Sequence, residues 1–99
     1  MSKINMTSLS QLALRIIKEQ ELIIGPLAWI EARKVVGIHV INQNAGELSI
    51  DDNNQGPIID RLVTQYERLF GRASVEVCRE AAAPLLSELS SEQIPSSLK

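Results

Sequence analysis

His39 and Cys78 are the residues of this chain best suited to catalysis or to metal binding at neutral pH. Each is the only residue of its type, so a zinc site built from several His or Cys ligands cannot be assembled from this sequence. His39 has no acid or nucleophile at a recognisable spacing, and we expect it to be a surface histidine of a strand. Cys78 falls on the apolar side of a predicted helix, where we expect a buried and unreactive thiol.

A run of oxygen-bearing side chains at residues 51–56 raises the question of a calcium loop. An EF-hand loop requires acids at alternate positions, a glycine at the sixth position and a glutamate at the twelfth. Counted from Asp51, Gly56 is sixth, but Gln55 is fifth and Leu62 is twelfth. We therefore expect a solvated loop ahead of a helix. The sequence predicts no catalytic residue, no cofactor and no metal.

Apolar residues recur at the i, i+3, i+4 spacing of amphipathic helices in four parts of the chain. These periodic segments cover residues 8–23, 26–36, 57–70 and 72–89. Gly25 and Pro26 separate the first two segments and Gly71 separates the last two, in keeping with the residues that end and begin helices. Pro84 falls within the fourth segment, where we expect a kink or a break near residues 82–83.

Residues 37–51 have a different pattern, because apolar and polar residues alternate on both sides of an Asn- and Gly-rich centre. This pattern predicts a β-hairpin. The expected fold is mainly α with a minor β component: four helices in two helix–Gly–helix hairpins, with a short β-hairpin between them. We expect one domain at 8–89, made of a first helical hairpin (8–36), the β-hairpin (37–51) and a second helical hairpin (57–89). A flexible N-terminus (1–7) and a disordered polar tail (90–99) would flank it.

The two helix–Gly–helix units align with each other when their central glycines are superimposed. The identical pairs are Gly25 and Gly71, Arg15 and Arg61, Glu21 and Glu67, and Arg33 and Arg79. An internal duplication explains these identities, and so does the shared composition of two amphipathic helices. Both explanations stay open.

Composition narrows the possible partners. The chain has 99 residues, of which 44% are hydrophobic, and its formal net charge is −2 with acidic and basic residues interspersed. No basic face follows a phosphate backbone, and aromatic residues that could stack on bases are scarce, so we expect no nucleic-acid partner. There is no basic and apolar leader at the N-terminus and no apolar run long enough to span a bilayer. We expect a cytoplasmic protein that does not bind membranes.

The apolar residues exceed what one small core needs, which favours a homo-oligomer or another protein as partner. Leu14 and Leu22 fall outside the apolar stripe of the first helix, to which Ile23 belongs. Trp29 fits the core of the second helix, but an exposed tryptophan would be a strong anchor for a partner. The interface candidates are Leu14, Leu22, Trp29 and Ile30.

The segment Ile24-Gly25-Pro26-Leu27-Ala28, preceded by an amphipathic helix, resembles a small helical module of bacterial signalling proteins. It is similar to segments of the "IGPLA" type next to Ser/Thr-kinase or roadblock-type regulatory domains. The resemblance covers the first two helices and, more loosely, the last two. It implies a regulatory role through protein–protein interaction, with no catalytic residues.

Two further functions are considered. A helix-turn-helix with its turn at Gly71 would make the chain a small DNA-binding regulator that uses residues 71–79. That segment holds few basic residues. In addition, Glu67 occupies the position at which close packing of the two helices needs a small residue. The other is an accessory subunit of an enzyme. The leading hypothesis is a non-enzymatic, self-associating interaction domain.

Overall fold

The computed structural model describes residues 7–51, 55–89 and 94–98. The elements in chain order are α1 (Ser8–Ile24), α2 (Leu27–Arg33), β1 (Ile38–Asn42), β2 (Glu47–Ile50), α3 (Gln55–Phe70), α4 (Ala73–Leu86) and a 3₁₀ helix (Ser96–Leu98). The prediction of a mainly helical chain with a small antiparallel sheet is confirmed. Apart from Thr7, the N-terminal segment that was expected to be flexible lies outside the described residues.

The first helix, α1, is the element on which most of the others pack, since it contacts α2, α3, α4 and β2. Thr7 begins it, and its side-chain oxygen accepts a hydrogen bond from the backbone N–H of Ser10 at 3.1 Å. The buried residues of α1 are Leu9, Ser10, Leu12, Ala13, Ile16, Ile17 and Gln20. Burying one Ile or Leu side chain contributes roughly 1.5–3 kcal/mol, so this face supplies much of the driving force for folding.

The second helix, α2, is shorter than the predicted segment 26–36. Its last regular residue is Arg33, after which the N–H of Lys34 bonds the carbonyl of Glu31 and the N–H of Val35 bonds that of Ala32, both at 3.1 Å. These i→i−3 bonds tighten the chain into turns. Gly37 then takes a positive φ of 102°, which directs the chain into β1.

The predicted β-hairpin forms within the chain, with Ile38 opposite Ile50 and Val40 opposite Leu48. One face of the two strands is buried by Ile38, Leu48 and Ile50, which are at most 6% exposed. A lone hairpin is marginally stable in water, so this contact with the helices is what holds it.

The fourth helix, α4, continues through Pro84 to Leu86, so the break expected near residues 82–83 is absent. Proline removes the hydrogen bond that residue 84 would donate to the carbonyl of Glu80. Glu80 and Pro84 are both exposed, and the loss falls in the last turn of the helix, where water can bond that carbonyl.

Residues 94–98 are the part of the predicted tail that the structure describes. Residues 94–98 fold back on α3 and α4. One oxygen of Asp60, Oδ1, accepts hydrogen bonds from the backbone N–H of Ser97 at 2.9 Å and from its hydroxyl at 2.5 Å. Leu98 joins the core at 4% exposure. Although residues 90–99 are mostly polar, Pro95 and Leu98 are buried. The carboxylate that caps their turn belongs to Asp60 on α3.

We predict that Gly37→Ala lowers the free energy of unfolding by about 1–3 kcal/mol. Alanine is strained at a φ of 102°, and its Cβ would lie 2.6 Å from Cδ1 of the buried Ile58. The measurement is urea denaturation of both proteins. Gly56→Ala is the matched control, because no atom lies within 4 Å of its added Cβ and it sits in α3. It should be neutral or stabilising. Equal urea midpoints for Gly37→Ala and the wild type would contradict this account of the turn.

Candidate interaction surfaces

His39 lies on the exposed side of β1, where its Nε2 is 2.7 Å from Oδ1 of Asp51. Both side chains are 59% exposed, so they form a surface pair at the open end of the hairpin. Of the acidic loop considered as a calcium site, residues 52–54 lie outside the described residues. Within the described ranges, no three His, Cys, Asp or Glu side chains come together as metal ligands.

Cys78 is fully buried between α4 and α1. The amide nitrogen of Gln20 donates to its sulfur at 3.5 Å and to the carbonyl of Ser74 at 3.1 Å. Burial raises the pKa of the thiol to about 11, although the hydrogen bond from Gln20 acts to lower it. The sulfur is therefore protonated at neutral pH and shielded from solvent, as a structural cysteine is.

The four interface candidates occupy three different environments. Leu22 is 81% exposed at the end of α1 and Ile30 is 49% exposed on α2. Leu14 is half-buried and packs against the core. Trp29 is 1% exposed, so it belongs to the core and presents no surface to a partner. Its indole Nε1–H donates to Oε2 of Glu21 at 3.0 Å, which satisfies the one polar atom of the ring.

An exposed apolar surface, the apolar corner, surrounds the turn between α1 and α2. It consists of Leu22, Ile23, Leu27 and Ile30, which are 81%, 63%, 39% and 49% exposed. The whole segment 22–30 carries no charged residue. The sequence assigned Ile23 to the apolar stripe of the first helix and did not single out Leu27, so neither was predicted to be an interface residue.

Contacts between α2 and α3 hold the helix that carries half of this corner. The hydroxyl of Tyr66 donates to the carbonyl of Ala28 at 2.7 Å, and the tyrosine is fully buried. Burial raises the pKa of Tyr66 far above its usual range, so the hydroxyl keeps its proton and remains a donor. One turn along α2, Glu31 bonds to α3 through Gln65, whose Nε2 donates to Oε1 at 2.8 Å.

Glu31 is a buried carboxylate with a partner on each oxygen. Nζ of Lys34 lies 3.0 Å from Oε2, and the amide of Gln65 occupies Oε1. The hydrogen bond from Lys34, followed by the one from Gln65, lowers the pKa of Glu31 below 4.5, although burial acts the other way. The carboxylate therefore holds two side chains, those of Lys34 and Gln65, at the junction of α2 and α3.

A second surface, the basic groove, lies above this junction and has a volume of about 530 Å³. It is lined by Lys34, Val35, Val36, Asp60, Arg61, Thr64, Gln65 and Arg68. Arg61 and Arg68 are both exposed on α3. The groove forms because the residues that follow α2 run along the exposed face of α3. No periodicity in the sequence predicts this arrangement.

The segment considered for DNA binding, residues 71–79, offers few free cations. Nη1 of Arg79 pairs with Oε1 of Glu76 at 3.2 Å, and its Nε donates to the carbonyl of Ser97 at 3.3 Å. Arg72, the other cation of this segment, makes no hydrogen bond or ion pair with any residue that the structure describes. One free arginine on this helix is a weak basis for binding a phosphate backbone.

Searches with the chain against protein-family models, curated proteins and solved structures found no match. None of the helices among the described residues is both long and apolar enough to cross a lipid bilayer.

We predict that Glu31→Gln destabilises the chain at pH 7 and that this difference disappears in acid. A carboxylate whose pKa is lowered by folding stabilises the folded state above its unfolded pKa, near 4.5, and loses that contribution as the pH falls through the folded value. Unfolding in urea across a pH series measures it. Glu76→Gln is the control, because the Glu76 side chain is 61% exposed and its pair with Arg79 contributes little. A difference between wild type and Glu31→Gln that persists below the folded pKa would contradict the ionic role.

Proposed function

We propose that this chain is a non-enzymatic interaction module that associates with a second copy of itself through the apolar corner. One observation carries the proposal: Leu22, Ile23, Leu27 and Ile30 are exposed together around one turn. Exposed apolar residues scattered singly need no explanation, but a group of them marks a contact surface.

The charge distribution favours a second copy over an unlike partner. A two-fold contact places the same surface of both subunits face to face, so any charge on it meets its own kind. Segment 22–30 has no charge, and the nearest acid before it, Glu21, accepts the hydrogen bond of the Trp29 indole. Segment 22–30 itself therefore brings no charge into a two-fold contact, and the charges nearest to Ile23 are those of Arg15, Glu19 and Glu80, of both signs.

The corner is also held in place before any partner arrives. Trp29 anchors α2 in the core, and Tyr66 bonds to the backbone of the same helix at Ala28. A surface that is already ordered loses less conformational entropy on binding than a mobile one. The exposed leucines and isoleucines project from helices that are fixed on their other side.

The regulatory role that we propose rests on the same segment. Residues 24–28 form the "IGPLA" motif that resembles modules of bacterial signalling proteins, and one of them, Leu27, belongs to the apolar corner. Self-association through this turn would couple the concentration of the chain to the state of a signalling assembly. Neither His39 nor Cys78 is needed for such a role.

We predict that Leu22→Glu weakens self-association by about 2 kcal/mol or more, which is roughly thirtyfold in the dissociation constant. The reason is that a glutamate would be buried against an apolar surface without a partner. Sedimentation velocity over a concentration series measures the dissociation constant, and Ile30→Glu should act in the same direction.

The matched control is Ile41→Glu, since Ile41 is 53% exposed but lies on β1, outside the apolar corner. It should associate like the wild type. Circular dichroism of each variant shows whether the fold is retained. A wild-type chain that stays monomeric at the highest concentration, or an Ile41→Glu variant that dissociates as fully as Leu22→Glu, would overturn the proposal.

A further inference from the structure

We propose that the basic groove binds an acidic amphipathic helix of a partner protein, whose carboxylates pair with Arg61 and Arg68. This binding site is separate from the apolar corner and does not depend on self-association.

The charge of the groove is opposite to that of the chain. Lys34 is already paired with Glu31, but Arg61 and Arg68 line the groove with one acid, Asp60, whereas the whole chain has a net charge of −2. Moreover, Oδ1 of Asp60 already accepts two hydrogen bonds from Ser97. The groove therefore concentrates positive charge on a molecule that is otherwise acidic, which favours an anionic ligand.

The two arginines keep most of their donors free. Arg68 is exposed and makes no hydrogen bond or ion pair with any residue that the structure describes. Arg61 is exposed too, and it makes one long bond, 3.5 Å from Nη1 to the carbonyl of Val36. A guanidinium has five N–H donors in a planar fork that matches a carboxylate. Each guanidinium can therefore donate hydrogen bonds to one carboxylate without losing a contact inside the chain.

The spacing of the arginines favours a helical ligand. Arg61 and Arg68 stand seven residues apart on α3, which is about 10.5 Å along a helix axis at 1.5 Å per residue. A helix alongside α3 presents carboxylates at i and i+7 on one face with the same spacing. An extended chain matches this spacing less closely, because side chains on one face of a strand repeat every two residues, at about 6.6 or 13 Å.

The groove also offers an apolar contact between the charges. Val36 is 77% exposed in the turn between α2 and β1, and Val35 lies buried beside it. The methylene stems of Lys34 and Arg61 extend this surface. An apolar side chain at i+3 or i+4 of the ligand helix would lie against Val36 while its acidic neighbours bind the arginines. An acidic amphipathic helix has this arrangement, and a purely acidic segment does not.

Fluorescence anisotropy with a labelled helical peptide tests the proposal. The probe has glutamates at i and i+7, leucine at i+3 and i+4, and alanine elsewhere; its isomer has the glutamates five residues apart, on different faces. The wild-type chain should bind the probe at low salt and more tightly than the isomer, and binding should weaken as salt is added. Arg68→Glu should raise the dissociation constant by about fivefold or more. Arg72→Glu makes the same change of charge on an exposed arginine outside the groove and should leave it unchanged.

Several results would overturn the proposal. They are equal binding of the probe and its isomer, equal binding of polyglutamate or of a short RNA duplex, and an equal loss in Arg68→Glu and Arg72→Glu. Absence of saturable binding at low salt would also do so. A loss of self-association in Arg68→Glu would instead assign the groove to a second copy of the chain and equally refute a separate partner.

Discussion

The docking of α2 is the constraint on which both candidate surfaces depend. This helix has seven residues, too few to be stable alone in water. It is held by the burial of Trp29, by the bond from the Tyr66 hydroxyl to the carbonyl of Ala28, and by Glu31, which reaches Gln65 on α3. Its exposed residues Leu27 and Ile30 belong to the apolar corner, and residues 34–36, which follow the helix directly, line the basic groove. A chain in which α2 came loose would lose both.

This dependence links the two surfaces energetically. A ligand in the basic groove would contact Val36 and the side chain of Lys34, which is joined through Glu31 to the junction of α2 and α3. A second copy at the apolar corner would contact Leu27 and Ile30 on the same helix. A substitution that loosened α2 would therefore disturb both surfaces. The two proposals stand separately, but they share one helix as their support.

The sequence predicted the elements better than the surfaces. The spacing of Ile16, Ile17, Leu62 and Val63 is a local property, and their burial in α1 and α3 was predictable from it. So were the glycines at the ends of α1 and α3, where Gly25 and Gly71 both take positive φ and donate to the carbonyl four residues earlier at 2.8 Å. Trp29 shows the limit. A tryptophan suits a protein core as well as an interface. The fold decides between the two, because it buries Trp29 and places Glu21 beside its indole nitrogen. The basic groove depends on how α2 packs against α3. The position of Ser97 depends on its hydrogen bonds to Asp60, which is distant in sequence. No local sequence pattern predicts either contact.

The central claim is that a docked α2 presents the apolar corner to a second copy of the chain. Amide hydrogen exchange of the wild-type protein at low and at high concentration tests it most directly. The account predicts that concentration slows exchange in residues 22–30, while the amides of β1 and β2 are unaffected. Exchange in 22–30 that is the same at both concentrations would contradict it, as would a slowing confined to the hairpin.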